Sequence, residues 1–300
     1  MDLLAEKFSG IADSKNWLDI VPIEVGMSGE NKYHITRNNG VELIMRTSGI
    51  ENYKRHCECA MFSQYIHEKL GLNMNLPLEV AACCGDTLVY TLYTWVEGID
   101  ANSRILNLHT PEQARFGEKA GELLRKIHRV KAPKSVMPWD IYYGRKLDEI
   151  IGKFRLIRQN FEGSDKALKF IEESRPLLKD RPQTALHGDF HSGNLILMNY
   201  DEYGVIDFGR WCWGDPYMDF QCLRRSCSVP FSRGQINGYF GGNVPGDFFA
   251  LMALYTAADM FRRICEAYTY DPRSLTDVIA AAEKTVREYN GFDGLVPTWY

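Results

Sequence analysis

The chain has 300 residues, of which 45% are hydrophobic and 12% aromatic. This content supplies enough apolar side chains for a sizeable core and excludes a disordered chain. A formal net charge of −4 argues against a nucleic-acid-binding protein. No apolar run is long enough for a transmembrane helix, and the N-terminus lacks the features of a signal peptide. We therefore expect a cytoplasmic protein with no membrane partner, whose eight cysteines are reduced thiols.

The first third of the sequence predicts five β-strands. Apolar and β-branched runs between turn residues indicate strands at residues 20–26, 32–36, 41–47, 76–84 and 87–95. The turn between the first two strands contains Ser28 and Gly29. A turn with glycines lets backbone N–H groups approach phosphate oxygens, so both residues are candidate nucleotide-binding positions.

Residues 52–70 are predicted to form an amphipathic helix. Spacings near three and four residues favour an inward face that contains Cys57, Met61, Phe62, Tyr65, Ile66 and Leu70. Glu58 shares a face with Phe62 and Tyr65. A second, longer helical region begins near Pro111, where Thr110 is a suitable N-cap. Further helices are predicted at residues 141–160, 164–178, 217–225, 230–240, 246–270 and 274–289.

Two polar clusters lie around a predicted hairpin in the middle of this second region. The first reads HGDFHSGN and ends at Asn194, and the second begins at Asp207 as DFG. Short β-type runs at residues 195–198 and 205–206 and the polar turn between them indicate the hairpin. Its outer ends would meet, which places Asn194 beside Asp207.

The residue types in these clusters suit phosphoryl transfer. Asp189 precedes Asn194 by five positions, the spacing of the catalytic Asp and the metal-binding Asn in the kinase catalytic loop. Mg²⁺ prefers oxygen ligands such as the amide carbonyl of Asn194 and the carboxylate of Asp207. A separate carboxylate must accept the proton of the attacking hydroxyl, and Asp189 is the candidate for that role.

The HGDxxxxN and IDFG motifs resemble those of the aminoglycoside phosphotransferase and choline kinase group. The resemblance implies a two-lobed, protein-kinase-like α+β fold. A small lobe at residues 1–94 would contain a five-stranded antiparallel sheet, and a larger, mainly helical lobe at residues 95–300 would bind the acceptor. The hinge would lie at about residues 94–98.

The resemblance also implies roles for single residues. Kinases carry a phosphate-binding Lys on the third strand, and this chain has Arg46 there, with Lys32 and Lys54 as possible substitutes. Glu58 on the following helix is expected to hold Arg46. The adenine ring is expected to contact the backbone around Thr94 and Val96. His187 and Asp219 are expected to support the catalytic loop.

A different interpretation of the first cluster is a metal site of the hydrolase type. His187, Asp189 and His191 form an H-x-D-x-H pattern. A binuclear hydrolase centre needs further ligands at separate positions, and no histidine follows residue 191. The sequence therefore favours the kinase interpretation.

The predicted function is Mg²⁺-dependent transfer of the γ-phosphoryl group of ATP or GTP to a hydroxyl of a small molecule. An aminoglycoside or similar antibiotic is the leading acceptor by resemblance. Residues 184–300 contain 9 basic and 14 acidic side chains, which is compatible with a cationic acceptor. The alternative acceptors are a choline-like amino alcohol, a macrolide, a sugar and a protein. A nucleotide-binding pseudokinase without turnover remains an alternative function.

Overall fold

The computed structural model describes residues 3–24, 30–199, 202–224 and 227–300. The chain divides into two compact units. The sheet unit comprises Met1–Ile99, Ile196–Asn199 and Gly204–Gly209, and the helical unit comprises Asp100–Leu195, Tyr200–Tyr203 and Arg210–Tyr300. This division falls after Ile99, and the lobe boundary at residue 94 with its hinge at about residues 94–98 stays a prediction. In addition, the sheet unit includes two short segments from the second half of the chain.

The sheet unit is built on five antiparallel strands. They are β1 (Trp17–Ile23), β2 (Asn31–Arg37), β3 (Glu42–Gly49), β4 (Pro77–Cys83) and β5 (Leu88–Thr94), in the order β1-β2-β3-β5-β4. Their register aligns Tyr33, Met45 and Leu92 across three strands, and all three are buried. Phe8 packs edge-on against Tyr33 in the same core. Side chains alternate along a strand, so Arg46 lies on the face opposite Met45.

Two helices belong to the sheet unit, one before β1 and one between β3 and β4. Helix α1 (Leu3–Lys7) precedes a 3₁₀ turn at Ala12–Asn16. Helix α2 (Tyr53–Leu70) follows β3 and ends at Gly71, which adopts the left-handed conformation with φ of 56°. A glycine at this position ends a helix without steric cost.

A small sheet contains the segments from the second half of the chain. It consists of β6 (Ile99–Asp100), β8 (Leu195–Asn199) and β9 (Glu202–Val205), in the order β6-β8-β9. The N–H of Val205 donates to the carbonyl of Asn73 at 2.9 Å, and Val205 also forms a parallel bridge with Met74. These backbone bonds explain why the residues before Asp207 belong to the sheet unit.

The helical unit contains seven α-helices among its described residues. They are α3 (Ala101–Ile105), α4 (Thr110–Ile127), α5 (Trp139–Ile157), α6 (Ser164–Ser174), α7 (Val229–Phe240), α8 (Phe248–Tyr270) and α9 (Leu275–Glu288). Strands β7 (Thr184–Leu186) and β10 (Cys212–Gly214) pair with each other. The helix expected at residues 217–225 is a 3₁₀ helix over Pro216–Cys222. In the described part of the chain, no helix is long and apolar enough to cross a membrane.

Glycines allow α4 and α7 to pack in very close contact. A Cβ atom at Gly121 would lie 2.1 Å from the carbonyl oxygen of Gln235, and one at Gly117 would lie 2.1 Å from that of Phe231. Gly234 and Gly238 on α7 face backbone carbonyls of α4 at 2.1 and 2.0 Å in the same way. Because the obstructing atoms are backbone atoms, no larger residue fits unless the two helices separate.

A buried carboxylate connects β10 to the rest of the helical unit. Asp215 is fully buried and accepts hydrogen bonds from Arg181 Nε at 2.6 Å and from the Tyr255 hydroxyl at 2.8 Å. The Tyr255 hydroxyl in turn accepts from Trp139 Nε1 at 2.8 Å. Burial, followed by the charge of Asp215, raises the pKa of Tyr255 well above its ordinary value, so this hydroxyl stays protonated and donates.

Candidate active site

The predicted hairpin is present between the two polar motifs. Strands β8 and β9 are neighbours in their sheet, and they follow Asn194 and precede Asp207 in the chain. Asn194 belongs to the helical unit and Asp207 to the sheet unit. The joint metal site expected for these two residues stays a prediction.

The backbone before Asp189 is held by Asp219. The carboxylate oxygens of Asp219 accept hydrogen bonds from the N–H groups of His187 at 2.8 Å and Gly188 at 2.7 Å. His128 Nε2 lies 3.0 Å from the same carboxylate, which is fully buried. Gly188 has a φ of +81°, and a Cβ atom there would lie 2.0 Å from the carbonyl oxygen of Arg210. The conformation of the HGD segment therefore requires both glycine and a buried carboxylate from a distant part of the chain.

The side chain of Asp189 is partly exposed and lies among polar groups. Its Oδ1 accepts from the thiol of Cys222 at 3.4 Å. Its Oδ2 lies 3.9 Å from His191 Nε2 and 4.0 Å from Arg210 Nε. With a fifth of the side chain exposed, this carboxylate can receive a proton from a hydroxyl placed beside it.

The amide of Asn194 has a defined orientation. Its Nδ2 donates to the backbone carbonyl of Asp189 at 2.9 Å. A carbonyl oxygen can only accept, so this bond directs the nitrogen rather than the oxygen toward Asp189. Among the described residues, no hydrogen bond uses Asn194 Oδ1. That oxygen is the type of ligand that Mg²⁺ prefers.

Asp207 forms ion pairs with two basic residues of the sheet unit. Arg46 Nη1 donates to Oδ1 at 2.8 Å and Nη2 donates to Oδ2 at 3.1 Å, a bidentate arrangement. Lys32 Nζ lies 3.4 Å from Oδ2. The φ of Asp207 is +68°, a left-handed conformation that is uncommon for a residue other than glycine. Such backbone strain is frequent where a side chain must be held in a functional position.

The structure contradicts the expected pair between Arg46 and Glu58. Arg46 is buried, and its Nε lies 2.8 Å from Glu30 Oε2. Glu58 lies instead 3.9 Å from Lys54 and 3.8 Å from Arg55, with 43% of its side chain exposed. Lys54 is 90% exposed, so Lys32 is the basic residue that accompanies Arg46.

The cause of this error is the orientation of helix α2. Its buried residues are His56, Cys59, Ala60, Phe62, Ser63 and Ile66, whereas Met61 is 72% exposed and Tyr65 is 37% exposed. Glu58 is two positions from His56 and from Ala60, so it projects away from these two residues and lies at the exposed edge of the buried face. The face directed to the DFG segment contributes Phe62 against Phe208 and the Arg55 guanidinium to the Gly209 carbonyl.

A cavity of about 460 Å³, open to solvent, lies in the sheet unit beside these charges. Its lining consists of Lys32, Ile44, Arg46, Asn75, Thr94, Trp95, Val96, Ile196, Ile206 and Asp207. The N–H of Thr94 donates to Leu76 and that of Trp95 to Glu42. Among the described residues, no hydrogen bond uses the N–H or carbonyl of Val96. Val96 therefore offers both a backbone donor and a backbone acceptor to a ligand in this wall.

Two further predicted positions, Ser28 and Gly29, lie outside the described residues.

Several residues of the site were not predicted from the sequence. Glu30 gave no signal because ion pairing between residues 16 positions apart depends on sheet register. Arg210 and Cys222 follow the motifs in sequence, but only the folded chain brings them to Asp189. The position of Arg210 directly after the DFG motif is the sequence signal that could have identified it as a site residue.

A protein-kinase-like fold with these motifs defines a phosphotransferase that acts on hydroxyl groups. The chain belongs to the phosphotransferase enzyme family, whose family model matches residues 19–254. A comparison with curated proteins finds no match.

Solved structures of aminoglycoside phosphotransferases share the fold at low sequence identity. A GDP complex of a mutant aminoglycoside 2'-phosphotransferase IIIa has a TM-score of 0.72 at 15% identity, covering 96% of this chain and 97% of that one. A thermostable mutant of APH(4)-Ia with AMP-PNP and hygromycin B has a TM-score of 0.69 at 15% identity, with 97% and 98% covered. ADP-bound APH(2'')-Ib has a TM-score of 0.64 at 17% identity, with 95% and 98% covered.

Proposed function

We propose that this protein transfers the γ-phosphoryl group of ATP or GTP to a hydroxyl of a small molecule, with Mg²⁺ as the cofactor. An aminoglycoside or a similar antibiotic is the leading acceptor. The observation that carries the proposal is the cavity of the sheet unit, in which Arg46, Lys32 and Asp207 accompany aliphatic side chains. Similar proteins are named as complexes with ADP, GDP and AMP-PNP, which supports a nucleotide as the occupant.

The lining of the cavity matches the two parts of a nucleotide. Ile44, Val96, Ile196 and Ile206 offer apolar surface to a flat base. The N–H and carbonyl of Val96 can pair with the polar edge of that base. Arg46 and Lys32 supply two positive charges for phosphate oxygens, and the planar fork of Arg46 suits two oxygens at once. In this proposal Arg46 performs the role that a lysine has in other kinases.

The catalytic roles are assigned to three polar residues. Asp189 accepts the proton of the acceptor hydroxyl as the hydroxyl oxygen attacks the γ-phosphorus and the bond to the leaving nucleotide oxygen breaks. Asn194 and Asp207 would hold Mg²⁺, because an amide oxygen and a carboxylate are the ligand types that Mg²⁺ prefers and, among the described residues, no hydrogen bond uses the amide oxygen of Asn194. A bound Mg²⁺ would neutralise negative charge on the phosphates. His187 and Asp219 keep the backbone of Asp189 in position.

Two observations support the assignment of the acceptor: the ligands named in similar solved structures and the charge balance of residues 184–300. Complexes of similar enzymes are named with hygromycin B, gentamicin, streptomycin and kanamycin. The acidic balance of residues 184–300 is compatible with such cationic molecules. Amino alcohols, macrolides and sugars are the competing acceptors, and they define the remaining members of a test panel.

The test is a nucleotide-consumption screen with the full chain. ATP and GTP would each be incubated with Mg²⁺ and with members of each acceptor class, and phosphorylated product would be identified by mass spectrometry. Product from an aminoglycoside, and not from the other classes, is the expected result. Product from another class alone would identify that class as the acceptor and would still support phosphoryl transfer to a hydroxyl.

Asp189→Asn is the matched control for turnover. General-base assistance contributes about 10²–10⁴-fold, so this variant should lose that factor in kcat while it keeps nucleotide affinity. Nucleotide binding without product from any acceptor, in the wild type as in the variant, would favour the pseudokinase alternative. Absence of ATP and GTP binding would reject the proposed function.

A further inference from the structure

Arg46 is a buried cation with two carboxylate partners on different atoms of its guanidinium. The Nη atoms bind Asp207, and Nε faces Glu30 at 2.8 Å. Only 10% of the Arg46 side chain is exposed. The bidentate pair with Asp207 fixes the plane of the guanidinium. Among the described residues Nε makes no hydrogen bond, so Glu30 holds the charge of Arg46 by its proximity and not through a directed N–H bond.

The two carboxylates also compensate the cost of burying this charge. Burial on its own would lower the pKa of Arg46, but the negative charges of Asp207 and Glu30 outweigh it and hold that pKa above its ordinary value. A buried charge that loses its partners destabilises its surroundings strongly. Arg46 therefore needs at least one carboxylate in every state of the site.

Glu30 also approaches helix α2 with its other oxygen. Its Oε1 lies 3.6 Å from Nε2 of the buried His56, on the inward face of α2. The His56 ring is itself held by Ser48 Oγ at 2.9 Å and by Thr91 Oγ1 at 2.6 Å. Glu30 thus lies between a cation on β3 and a histidine on α2, in contact with both.

We propose that Glu30 is the positioning residue for Arg46 and takes the part that the sequence assigned to Glu58 on helix α2. This inference rests on the proposed function, because it concerns a cation that binds phosphate. Asp207 is the expected metal ligand, so its oxygens cannot serve Arg46 alone during the reaction. Glu30 lies at Nε, away from the two Nη atoms that bind Asp207, and its charge keeps Arg46 paired and in place while Asp207 binds the metal.

The experiment measures ADP binding to the full chain by calorimetry, with and without Mg²⁺. Glu30→Gln, which keeps the shape and removes the charge, should weaken ADP binding about tenfold, the size expected for one coupled charge pair. Glu58→Gln is the matched control on helix α2 and should change the dissociation constant by less than about twofold. Glu30→Asp should give an intermediate loss, because its carboxylate is one methylene shorter.

The combination with Arg46→Ala decides whether Glu30 acts through Arg46. In that background Glu30→Gln should produce no further loss, whereas an equal tenfold loss in both backgrounds would overturn the positioning role. An effect of Glu58→Gln as large as that of Glu30→Gln would overturn it as well.

Thermal unfolding would verify that each variant is folded, and Glu30→Asp replaces Glu30→Gln in the cycle if the latter is unfolded. A wild-type chain that binds neither ADP nor GDP would reject the proposed function, and the positioning role with it. Normal wild-type binding with independent losses rejects the positioning role alone.

Discussion

Asp219 accepts a hydrogen bond from the backbone N–H of Gly188 at 2.7 Å, directly before the proposed catalytic base. The carboxylate also accepts from the His187 N–H and contacts His128. A carboxylate is well suited to this position because each oxygen accepts and neither donates. Asp219 therefore determines the path of the loop that presents Asp189.

Asp219→Asn should destabilise the protein and reduce turnover. An amide has one acceptor oxygen, so its NH₂ group would face a backbone N–H or His128 and leave a buried donor unpaired. We expect a loss of roughly 2–4 kcal/mol in the free energy of unfolding, measured by urea titration. Asp293→Asn is the control, because Asp293 is 67% exposed and its pair with Lys166 should contribute less than about 1 kcal/mol. Equal losses in the two variants would contradict the bracing role.

Replacing Asp207 should separate metal binding from phosphate binding. Asp207→Asn removes the carboxylate that Arg46 and Lys32 share, so both cations become more available to phosphates. ADP binding without metal should be retained or should tighten, while the gain from Mg²⁺ should fall by about tenfold or more. Calorimetry at several Mg²⁺ concentrations measures both effects. An unchanged Mg²⁺ dependence would exclude Asp207 as a ligand.

Arg181 should be important for stability because it neutralises a buried carboxylate. Arg181→Ala would leave the fully buried Asp215 without its guanidinium, which contacts it at 2.6 Å. The expected loss in unfolding free energy is roughly 2–4 kcal/mol. Arg175→Ala is the comparison, since Arg175 binds Glu172 and Asp148, which are 48% and 70% exposed. That change should cost about 1 kcal/mol or less, and a reversed order would refute the argument.

Two glycine-to-alanine changes should shift the free energy of unfolding in opposite directions. Gly121→Ala places a methyl group 2.1 Å from the Gln235 carbonyl and forces α4 and α7 apart. A loss of about 2 kcal/mol or more is expected. Gly152 lies on α5 with open space around its missing Cβ, so Gly152→Ala should stabilise the helix by about 0.5–1 kcal/mol. Chemical denaturation of both variants tests the pair, and destabilisation by Gly152→Ala would contradict this packing.

His56 should make stability depend on pH. Burial, aided by the charge of Arg46 and opposed by that of Glu30, lowers the pKa of His56 below its ordinary value. The unfolded chain then binds the proton more readily, so stability is lost as the pH falls through the ordinary range near 6.5. Between pH 7.5 and 5.5, wild type should lose up to about 1 kcal/mol more than His56→Gln. Parallel pH profiles of unfolding would show that His56 does not contribute.

Local patterns predicted much of the fold and the motif residues. The strands, the long helices and the β8–β9 hairpin follow from periodicity and turn residues, which act over a few positions. Asp189, Asn194 and Asp207 are marked as candidate site residues by their chemistry and by a spacing that matches kinase motifs. Their proposed roles depend on the family to which the chain belongs and not on any long-range contact.

The partners of those residues were decided by tertiary structure. The orientation of α2 determines that His56, and not Glu58, approaches the Arg46 site. Side chains two positions apart on a helix project in nearly opposite directions. Asp219 reaches Gly188, Arg181 reaches Asp215, and Arg46 reaches Asp207 across 31, 34 and 161 positions of sequence. A short sequence window contains no information about such distant pairs. They form because a buried charge or N–H group is unfavourable without a partner, and packing of the folded chain supplies that partner.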